Sequence, residues 1–329
     1  MSRIVSFGEV LLRLSPETGV RLPEADSFSA YYGGSEANAA VTCAMFGDDS
    51  VFITKVPSHE IGQAAVRRLR ACGVDTSKIL YGGRRLGIYF CDSGVSVRPT
   101  KVVYDRSYSS VTEADPEAYD FEGAFEGADW FHWSGITPAI SAKAAAAVER
   151  ACILAKEKGI KVSCDLNYRG KLWTPEKAQE TIIPLMKYVD VCFANESDSV
   201  CLGIDPNAQD NRETVRLIQE KYGFEEVFSV DVDFVSSSRN KWTGIVYDGK
   251  QYYETEIFDV NDMYDRVGCG DTMAGAYIHA VLKWGDRQKA AGFATAAGAL
   301  KATIKGDLTS VDEKEVLMLS EKKTKGIQR

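Results

Sequence analysis

The 329-residue sequence lacks an apolar run long enough to cross a bilayer, and it lacks an excess of positive charge. Its formal net charge of -8 argues against a nucleic-acid or anionic-membrane partner, although a few converging arginines can still bind a small anion. Glu9 and Arg13 interrupt the apolar N-terminus, so a signal peptide is not expected. We therefore predict a cytoplasmic protein with no nucleic-acid or membrane partner.

The eight cysteines include no Cys-x-x-Cys pair. Most of them lie in apolar runs, where a reduced thiol packs as a small hydrophobe, so neither a disulfide framework nor a metal cluster is expected. Two phosphate-binding motifs are also missing, because Gly-x-Gly-x-x-Gly fails at Met273 and Gly-x-x-x-x-Gly-Lys-[Ser/Thr] does not occur. These absences disfavour a dinucleotide-binding protein and a P-loop protein.

What the sequence does contain is an alternation of apolar β-type runs, such as "SVFITKV" and "KVSCD", with amphipathic helical segments. This alternation predicts an α/β protein of three layers with a mainly parallel central sheet. Ser35 is predicted to cap the helix "SEANAAVTCAMFG". No linker or repeat divides the chain, so we expect residues 1–329 to form a single domain.

Two segments depart from this alternation, at about residues 10–33 and 82–111. The first is polar and too long for an ordinary loop between a strand and a helix. The second contains two short β-type runs, "LGIYF" and "TKVVYD", which predict a hairpin. We expect both segments to form a small β lid. Because open β edges tend to pair or to be covered, a homo-oligomer, at least a dimer formed through the lid, is predicted.

The stretch "DRVGCGDTMAGAY" (265–277) places two glycines and an acid before a predicted helix. A helix that begins at Asp271 leaves free N–H groups at its positive end, and Gly268 and Gly270 clear the approach and permit positive φ. The motif predicts a phosphate cradle and an ionised Asp271, with an ordinary N-cap as the alternative. Nearby amides favour easier ionisation of the Cys269 thiol.

This motif and "GGSEANAA" (33–40) resemble the two signatures of the ribokinase-like (PfkB) family of carbohydrate kinases, and the likeness covers nearly the whole chain. The resemblance implies an anion hole for the γ-phosphate of ATP, formed by Gly268, Cys269 and Gly270. It also implies that Asp271 accepts the proton of the attacking sugar hydroxyl and that Asn38 faces the sugar. Phosphoryl transfer needs such positioning and charge stabilisation more than it needs a strong base.

The run "ANESD" resembles the family element Asn-x-x-Glu, which organises Mg²⁺ and its waters. Here Asn195 is retained, and the shorter Asp198 would act through water, with Glu196 as a substitute. Helix capping after a strand is the competing interpretation. The resemblance implies ATP and Mg²⁺ and leaves a monovalent cation open. It also implies an adenine pocket near Thr295 and Gly298.

The stretch "DLNYRGKLW" (165–173) and the strings of the expected lid resemble the 2-keto-3-deoxygluconate kinase branch of the family. Arg169 suits a carboxylate because a guanidinium binds it through two parallel hydrogen bonds, although a solvated loop arginine is the alternative. β alternation places Tyr104 and Arg106 on one face, and packing within the lid is the alternative for the tyrosines. The resemblance implies a sugar-acid site formed by Gly34, Tyr89, Tyr104, Arg106 and Arg169.

The expected reaction is therefore ATP-dependent phosphorylation of the terminal hydroxyl of 2-keto-3-deoxygluconate, which gives 2-keto-3-deoxy-6-phosphogluconate. A kinase for a neutral ketose such as fructose is one alternative, and it would not need Arg169. A non-catalytic sugar-binding protein on the same scaffold is another, and the intact Asp271 and Gly-x-Gly turn argue against it.

Overall fold

The computed structural model describes residues 1–204 and 210–323. Its strands, in chain order, are β1 (Arg3–Phe7), β2 (Leu11–Ser15), β3 (Ser29–Gly33), β4 (Asp49–Ile53), β5 (Lys55–Val56), β6 (Leu80–Tyr81), β7 (Ile88–Asp92), β8 (Lys101–Asp105), β9 (Trp130–Ser134), β10 (Lys161–Asp165), β11 (Val191–Phe193), β12 (Glu226–Ser236), β13 (Arg239–Tyr247), β14 (Tyr252–Glu254) and β15 (Phe258–Val260).

The α-helices are α1 (Ser35–Met45), α2 (Glu60–Ala71), α3 (Phe121–Ala124), α4 (Ile136–Ile140), α5 (Ala142–Glu157), α6 (Pro175–Ile182), α7 (Asn211–Tyr222), α8 (Cys269–Trp284), α9 (Arg287–Lys301) and α10 (Glu313–Ser320). A 3₁₀ helix, Glu196–Leu202, follows β11. None of the helices in the described parts of the chain has both the length and the apolar composition needed to cross a membrane.

The central sheet has nine strands in the order β14-β13-β12-β11-β10-β9-β1-β4, with β15 also paired to β13. The six strands from β12 to β4 run parallel, whereas β13 pairs antiparallel with each of its neighbours. Parallel neighbours require crossover connections, and the helices that make these connections cover the sheet. The mainly parallel sheet predicted from the sequence is therefore confirmed.

Helices lie on both faces of this sheet. Consecutive strand residues point to opposite faces. In β1, Ile4 joins the core beneath α8 and α9, while Val5 joins the core beneath α5 and α7. In β9, Trp130 joins the core beneath α8 and α9, and Phe131 joins the core beneath α5 and α7. Every one of these four side chains is fully buried, and each such burial stabilises the fold by about 1.5–3 kcal/mol. The result is the expected three-layer arrangement.

A second sheet, in the order β3-β2-β7-β8, is built from the two segments that depart from the βα alternation. Strands β7 and β8 pair antiparallel as a hairpin, and β2 joins them through a parallel pairing with β7. The polar segment after β1 supplies β2 and β3. Both outer strands, β3 and β8, leave one backbone edge without a partner strand in this sheet.

The starts of two helices differ from the predicted ones. Gly34, not Ser35, occupies the N-cap position of α1, and a Cβ at Gly34 would lie 1.8 Å from the carbonyl oxygen of Glu9, so only glycine fits there. Helix α8 begins at Cys269, two residues before the predicted start at Asp271. The predicted cap and the predicted start are therefore wrong. As a result, Ser35 and Asp271 both lie in first turns, with side chains free for other partners.

Candidate active site

A cavity of about 760 Å³ opens at the carboxyl ends of the parallel strands. This edge is where ligands bind in open α/β sheets. The cavity is bordered by the second sheet on one side and by the N-terminus of α8 on another. The predicted site residues that line it are Gly34, Asn38, Tyr89, Tyr104, Arg106, Arg169, Asn195, Asp198, Gly268, Cys269, Gly270 and Asp271.

The two glycines of the Gly-x-Gly turn have different roles. Gly268 adopts a left-handed φ of 83°, and a Cβ there would lie 2.1 Å from the carbonyl oxygen of Asp307. Both facts require glycine. Gly270 has no positive φ, and a Cβ at this position would meet no atom within 4 Å. Both glycines were expected to permit positive φ, and only Gly268 adopts it, while Gly270 leaves the cavity open in front of α8.

The carboxylate of Asp271 is held on both of its oxygens. The Ser35 hydroxyl donates to Oδ1 at 2.8 Å, and the Asn38 amide donates to Oδ2 at 2.7 Å. Burial raises the pKa of Asp271 above its ordinary value, while these two donors and the nearby Arg169 charge oppose the rise. Asn38 was predicted to face the sugar, and it lines the cavity with its side chain bonded to Asp271. The Asp271 carboxylate is therefore held in a fixed orientation at the cavity.

Cys269 does not have the environment of a reactive thiol. Its side chain is 6% exposed, and burial raises its pKa to about 12. The thiol donates a weak hydrogen bond to the carbonyl oxygen of Asp265, with Sγ and the oxygen 3.7 Å apart. The predicted ease of ionisation is therefore wrong, because burial outweighs the neighbouring amides. All eight cysteines are free thiols.

Arg169 provides an unpaired cation in the cavity. Its guanidinium donates to the carbonyl oxygen of Tyr168 at 3.0 Å, and the side chain is exposed. Within residues 1–204 and 210–323, no acid lies within 4.0 Å of it. A guanidinium in this state can bind an incoming carboxylate through two parallel hydrogen bonds.

Arg106 differs from Arg169 because it already has an acid partner. It lies just beyond the end of β8, and its Nε donates to Oε2 of the buried Glu9 at 2.9 Å. Its guanidinium also lies over the ring of Tyr104, 5.7 Å from the centroid. Both predicted residues line the cavity, as expected, but Glu9 neutralises Arg106. Arg169 is therefore the better candidate for binding a carboxylate.

Tyr89 belongs to a buried ionic cluster that the sequence argument missed. Its hydroxyl donates to Asp307, which also pairs with Arg13. Arg13 forms a second ion pair, with Asp265 at 2.8 Å. Burial and the neighbouring Asp307 raise the pKa of Tyr89 well above its ordinary value. The only sequence signal for this cluster was an arginine inside the apolar strand "LLRLS".

Two further carboxyl groups were missed, although both stand in quoted motifs. Burial raises the pKa of Glu36 to about 7, and its Oε1 accepts hydrogen bonds from both the amide and the hydroxyl of Ser134. Burial, together with the Asp198 and Asp271 charges, raises the pKa of Asp165 well above its ordinary value. Both groups line the cavity, and their raised pKa values favour the neutral, protonated form of each carboxyl group.

Asn195 and Asp198 adopt the capping geometry that was the alternative for this run. The Asp198 carboxylate accepts the amide of Asn195 at 2.9 Å and that of Tyr168 at 2.8 Å. The side chain of Asn195 accepts the amide of Ser197. The neighbouring Glu196 is exposed and also lines the cavity. Any metal contact by Asp198 would use the lone pairs that these two amides leave free.

Thr295 and Gly298 do not reach the cavity, contrary to the prediction. Thr295 is fully buried, and its hydroxyl donates to the carbonyl oxygen of Ala291 at 2.9 Å. A Cβ at Gly298 would lie 2.2 Å from the side chain of Met273. Gly298 therefore allows close packing of α9 against Met273 of α8, whereas Thr295 lies against Gly244 of β13. On the side of β12, the cavity is instead lined by Ser229, Val230, Asp231 and Val232.

Comparison of the chain with known proteins identifies its family. Residues 1–314 match the pfkB family of carbohydrate kinases. The chain belongs to this family, which confirms the class of enzyme and the ribokinase-like fold predicted from the sequence.

Three similar proteins show where in the family the chain lies. The crystal structure of 2-dehydro-3-deoxygluconokinase from Thermotoga maritima is 43% identical, with a TM-score of 0.94 over 98% of this chain and 100% of that one. The 2-dehydro-3-deoxygalactonokinase of Haloferax volcanii is 32% identical over 96% of this chain and 95% of its own length. Fructokinase-1 of Zea mays is 28% identical over 97% of this chain and 98% of its own.

Proposed function

We propose that this carbohydrate kinase transfers the γ-phosphoryl group of ATP to the terminal hydroxyl of 2-keto-3-deoxygluconate, which is also called 2-dehydro-3-deoxygluconate. The observation that carries the proposal is one cavity that contains both a positioned carboxylate, Asp271, and an unpaired guanidinium, Arg169. A neutral sugar needs the first group only. The names of the Thermotoga and Haloferax proteins support a sugar acid as the substrate.

In this proposal Arg169 binds the substrate carboxylate, and Tyr104 and Arg106 contact the sugar from the second sheet. The far end of the substrate then presents its terminal hydroxyl to Asp271. As the hydroxyl oxygen forms its bond to the γ-phosphorus, the bond from that phosphorus to the β–γ bridging oxygen breaks, and ADP leaves. Asp271 takes the hydroxyl proton. Its raised pKa makes it a better proton acceptor than an ordinary aspartate.

The phosphoryl group is proposed to lie in front of α8. The first N–H groups of a helix have no partner within the helix, and they carry partial positive charge. The open space at Gly270 gives phosphate oxygens access to these groups. Donors placed in advance around developing charge make the largest contribution to catalysis in reactions of this kind. Thr295 and Gly298 have no part in this scheme.

Magnesium is proposed to be held mainly through water. The oxygens of Asp198 each accept a backbone amide, and Asn195 and the exposed Glu196 supply further oxygens at the same edge of the cavity. Such a set suits Mg²⁺, which keeps several of its waters. When bound, the ion neutralises charge on the nucleotide phosphates. Dependence on a monovalent cation stays a prediction.

The second sheet is proposed to act as a lid and as a dimer interface. Its inner face contributes Tyr89 and Tyr104 to the cavity, and its outer face exposes Val103. Phe28, just before β3, is also exposed. β8 also has no partner strand on its outer edge in this sheet, and such an edge tends to pair with another strand. Sedimentation velocity tests the dimer, and Val103→Lys should shift it toward the monomer. The free thiols also support the predicted cytoplasmic location, where cysteines stay reduced.

A coupled assay of ADP release tests the function. The panel contains 2-keto-3-deoxygluconate, the corresponding galactonate-derived acid, fructose, and a blank without sugar. The Asp271→Asn enzyme serves as the matched background for each substrate. We expect ADP release with the sugar acids that is far above release with fructose. A preference for fructose would identify a neutral-ketose kinase, and sugar binding without ADP release would identify a binding protein.

A further inference from the structure

Ser35 does not cap the helix that it begins. Gly34 holds the N-cap position of α1, and the hydroxyl of Ser35 turns across the cavity to donate to Oδ1 of Asp271 at 2.8 Å. The single O–H donor of this serine is used in the bond to Asp271, and no side chain caps α1. The side chain is 9% exposed, and the two residues are 236 positions apart in the sequence. The contact therefore joins the first turns of α1 and α8.

The direction of this hydroxyl is set by a third residue. The amide of Asn167, in the loop after β10, donates to Oγ of Ser35 at 3.0 Å and to Oδ2 of Asp165 at 3.2 Å. Because Oγ accepts from Asn167, its own hydrogen is directed to Asp271. Asn167 has a left-handed φ of 43°, which is uncommon for a residue other than glycine. Backbone strain of this kind persists where the surroundings fix it, often at functional sites.

The other oxygen of Asp271 is fixed separately, by Asn38 on the next turn of α1. Each carboxylate oxygen has about two lone-pair sites, so one donor on each leaves room for a substrate hydroxyl. The carboxylate is therefore oriented without being saturated. Without Ser35, only the Asn38 contact would remain to orient the carboxylate.

We propose that Ser35 and Asn167 are positioning residues, which hold the Asp271 carboxylate in the direction and charge state needed to accept the sugar proton. The proposal rests on the proposed kinase function. Neither residue transfers a proton in this scheme, because Ser35 donates the same hydrogen bond throughout and Asn167 acts only through Ser35.

The pH dependence follows from the groups that face Asp271. The Ser35 and Asn38 donors and the Arg169 charge lower its pKa, whereas burial and the charge of Asp307 raise it. Asp165 interacts with it as a second carboxyl from β10, and the Cys269 thiol beside it is neutral at ordinary pH. Removing the Ser35 donor destabilises the carboxylate form. The pKa of Asp271 then rises, and the acid limb of the pH–rate profile moves to higher pH.

The test compares the pH profiles of kcat/KM for the wild type, Ser35→Ala and Ser50→Ala. Ser50, in β4, is the matched control. Its buried hydroxyl donates at 2.8 Å to the carbonyl oxygen of Ala40, which lies in α1 as Ser35 does, and Ser50 does not line the cavity. We expect Ser35→Ala to shift the acid limb upward by about one pH unit, and to lower the plateau about tenfold. Ser50→Ala should lower thermal stability and leave the limb unmoved.

Asn167→Gly gives an independent variant, since glycine keeps the left-handed backbone while the amide is lost. We expect a smaller upward shift than in Ser35→Ala. The double variant should match Ser35→Ala, because Asn167 acts through Ser35. If Ser35→Ala fails to fold, the pH profile of Asn167→Gly alone tests the positioning role: an upward shift of its acid limb supports the role, and an unmoved limb contradicts it. Ser35→Thr, which keeps a hydroxyl, should restore much of the wild-type profile.

Failure of the positioning role and failure of the proposed kinase function would give different results. An unmoved acid limb in both Ser35→Ala and Asn167→Gly, measured on an active wild type, overturns the positioning role and leaves the kinase function intact. If the wild type releases no ADP with any sugar acid, or if Asp271→Asn keeps its turnover, the proposed function fails first.

Discussion

The two walls of the cavity are built in different ways. The phosphate wall, defined by Gly268–Asp271 with Ser35 and Asn38, consists of backbone and short side chains on two packed helices. The sugar wall, defined by Tyr89, Tyr104, Arg106 and Arg169, consists of long side chains from a second sheet and a loop. Short side chains on helices are held within narrow limits, whereas Arg169 is exposed and free to adjust.

In the proposed function, the phosphate wall serves phosphoryl transfer and the sugar wall serves recognition of the substrate. In-line phosphoryl transfer tolerates little displacement of the acceptor oxygen, so the phosphate wall needs rigidity. Recognition of a carboxylate uses charge and a forked donor, which a longer side chain supplies. We therefore expect changes in the phosphate wall to act on kcat or on the KM for ATP, and changes in the sugar wall to act on the KM for the sugar acid.

The largest effect is expected for Asp271→Asn. An amide cannot accept the hydroxyl proton, so kcat should fall about 10³-fold while sugar affinity stays nearly unchanged. Turnover and calorimetric binding measure the two quantities separately. Asp286→Asn is the matched control, because Asp286 caps α9 outside the cavity and asparagine keeps the cap. Turnover near the wild-type level in Asp271→Asn would refute the assigned proton acceptor.

Arg169→Ala should mainly weaken the binding of the sugar acid. Loss of one charge-assisted pair corresponds to about 2–4 kcal/mol, or roughly 30- to 1000-fold in KM, with a much smaller change in kcat. Arg84→Ala is the control, since Arg84 is exposed within the 82–111 segment and does not line the cavity. Steady-state kinetics with the acid and with fructose make the comparison. An equal loss for both sugars contradicts the carboxylate role.

The two glycines of the turn should separate stability from activity. Gly268→Ala combines a strained φ with a clash against the Asp307 carbonyl, so the free energy of unfolding should fall by at least about 2 kcal/mol. Gly270→Ala meets no atom within 4 Å, so it should fold normally while its methyl group raises the KM for ATP. Urea unfolding and ATP kinetics on both variants test this. An equal loss of stability in Gly268→Ala and Gly270→Ala would contradict the different roles assigned to the two glycines.

The smallest effect concerns the thiols. Cys72 is partly exposed, whereas the other seven cysteines are buried, so iodoacetamide should modify Cys72 before Cys269. Activity should survive this first modification, because Cys72 lies outside the cavity. Peptide mass mapping against time, with activity measured in parallel, provides the test. Early loss of activity together with labelling of Cys269 would show that its thiol is more accessible than its burial indicates.

Much of the fold, and the local part of the site, could be predicted from the sequence. Alternating apolar runs define strands and helices, and the Gly-x-Gly-Asp turn is contained within four residues. The ion pairs of Arg13 with Asp265 and Asp307 join distant parts of the chain, so no local sequence pattern predicts them. Such contacts depend on how the second sheet lies against the loop before α8, which contains Asp265, and the loop after α9, which contains Asp307.

The errors in the predicted site have a physical cause as well. Thr295 was assigned to the nucleotide, but small residues on a helix serve packing and binding equally well, and only the rotation of α9 decides between them. Ser35 looked like a cap because serine before a helix usually caps it. Its partner Asp271 is far away in the sequence, so the position of α8 had to be known first.

The most direct test of the central claim is a crystal structure with 2-keto-3-deoxygluconate and a non-hydrolysable ATP analogue bound together. We predict that the terminal hydroxyl lies about 2.6–3.2 Å from the Asp271 carboxylate and in line with the γ-phosphorus, with the substrate carboxylate on Arg169. A complex in which the sugar carboxylate points toward α8, or in which the γ-phosphate lies away from Gly270, would contradict the account.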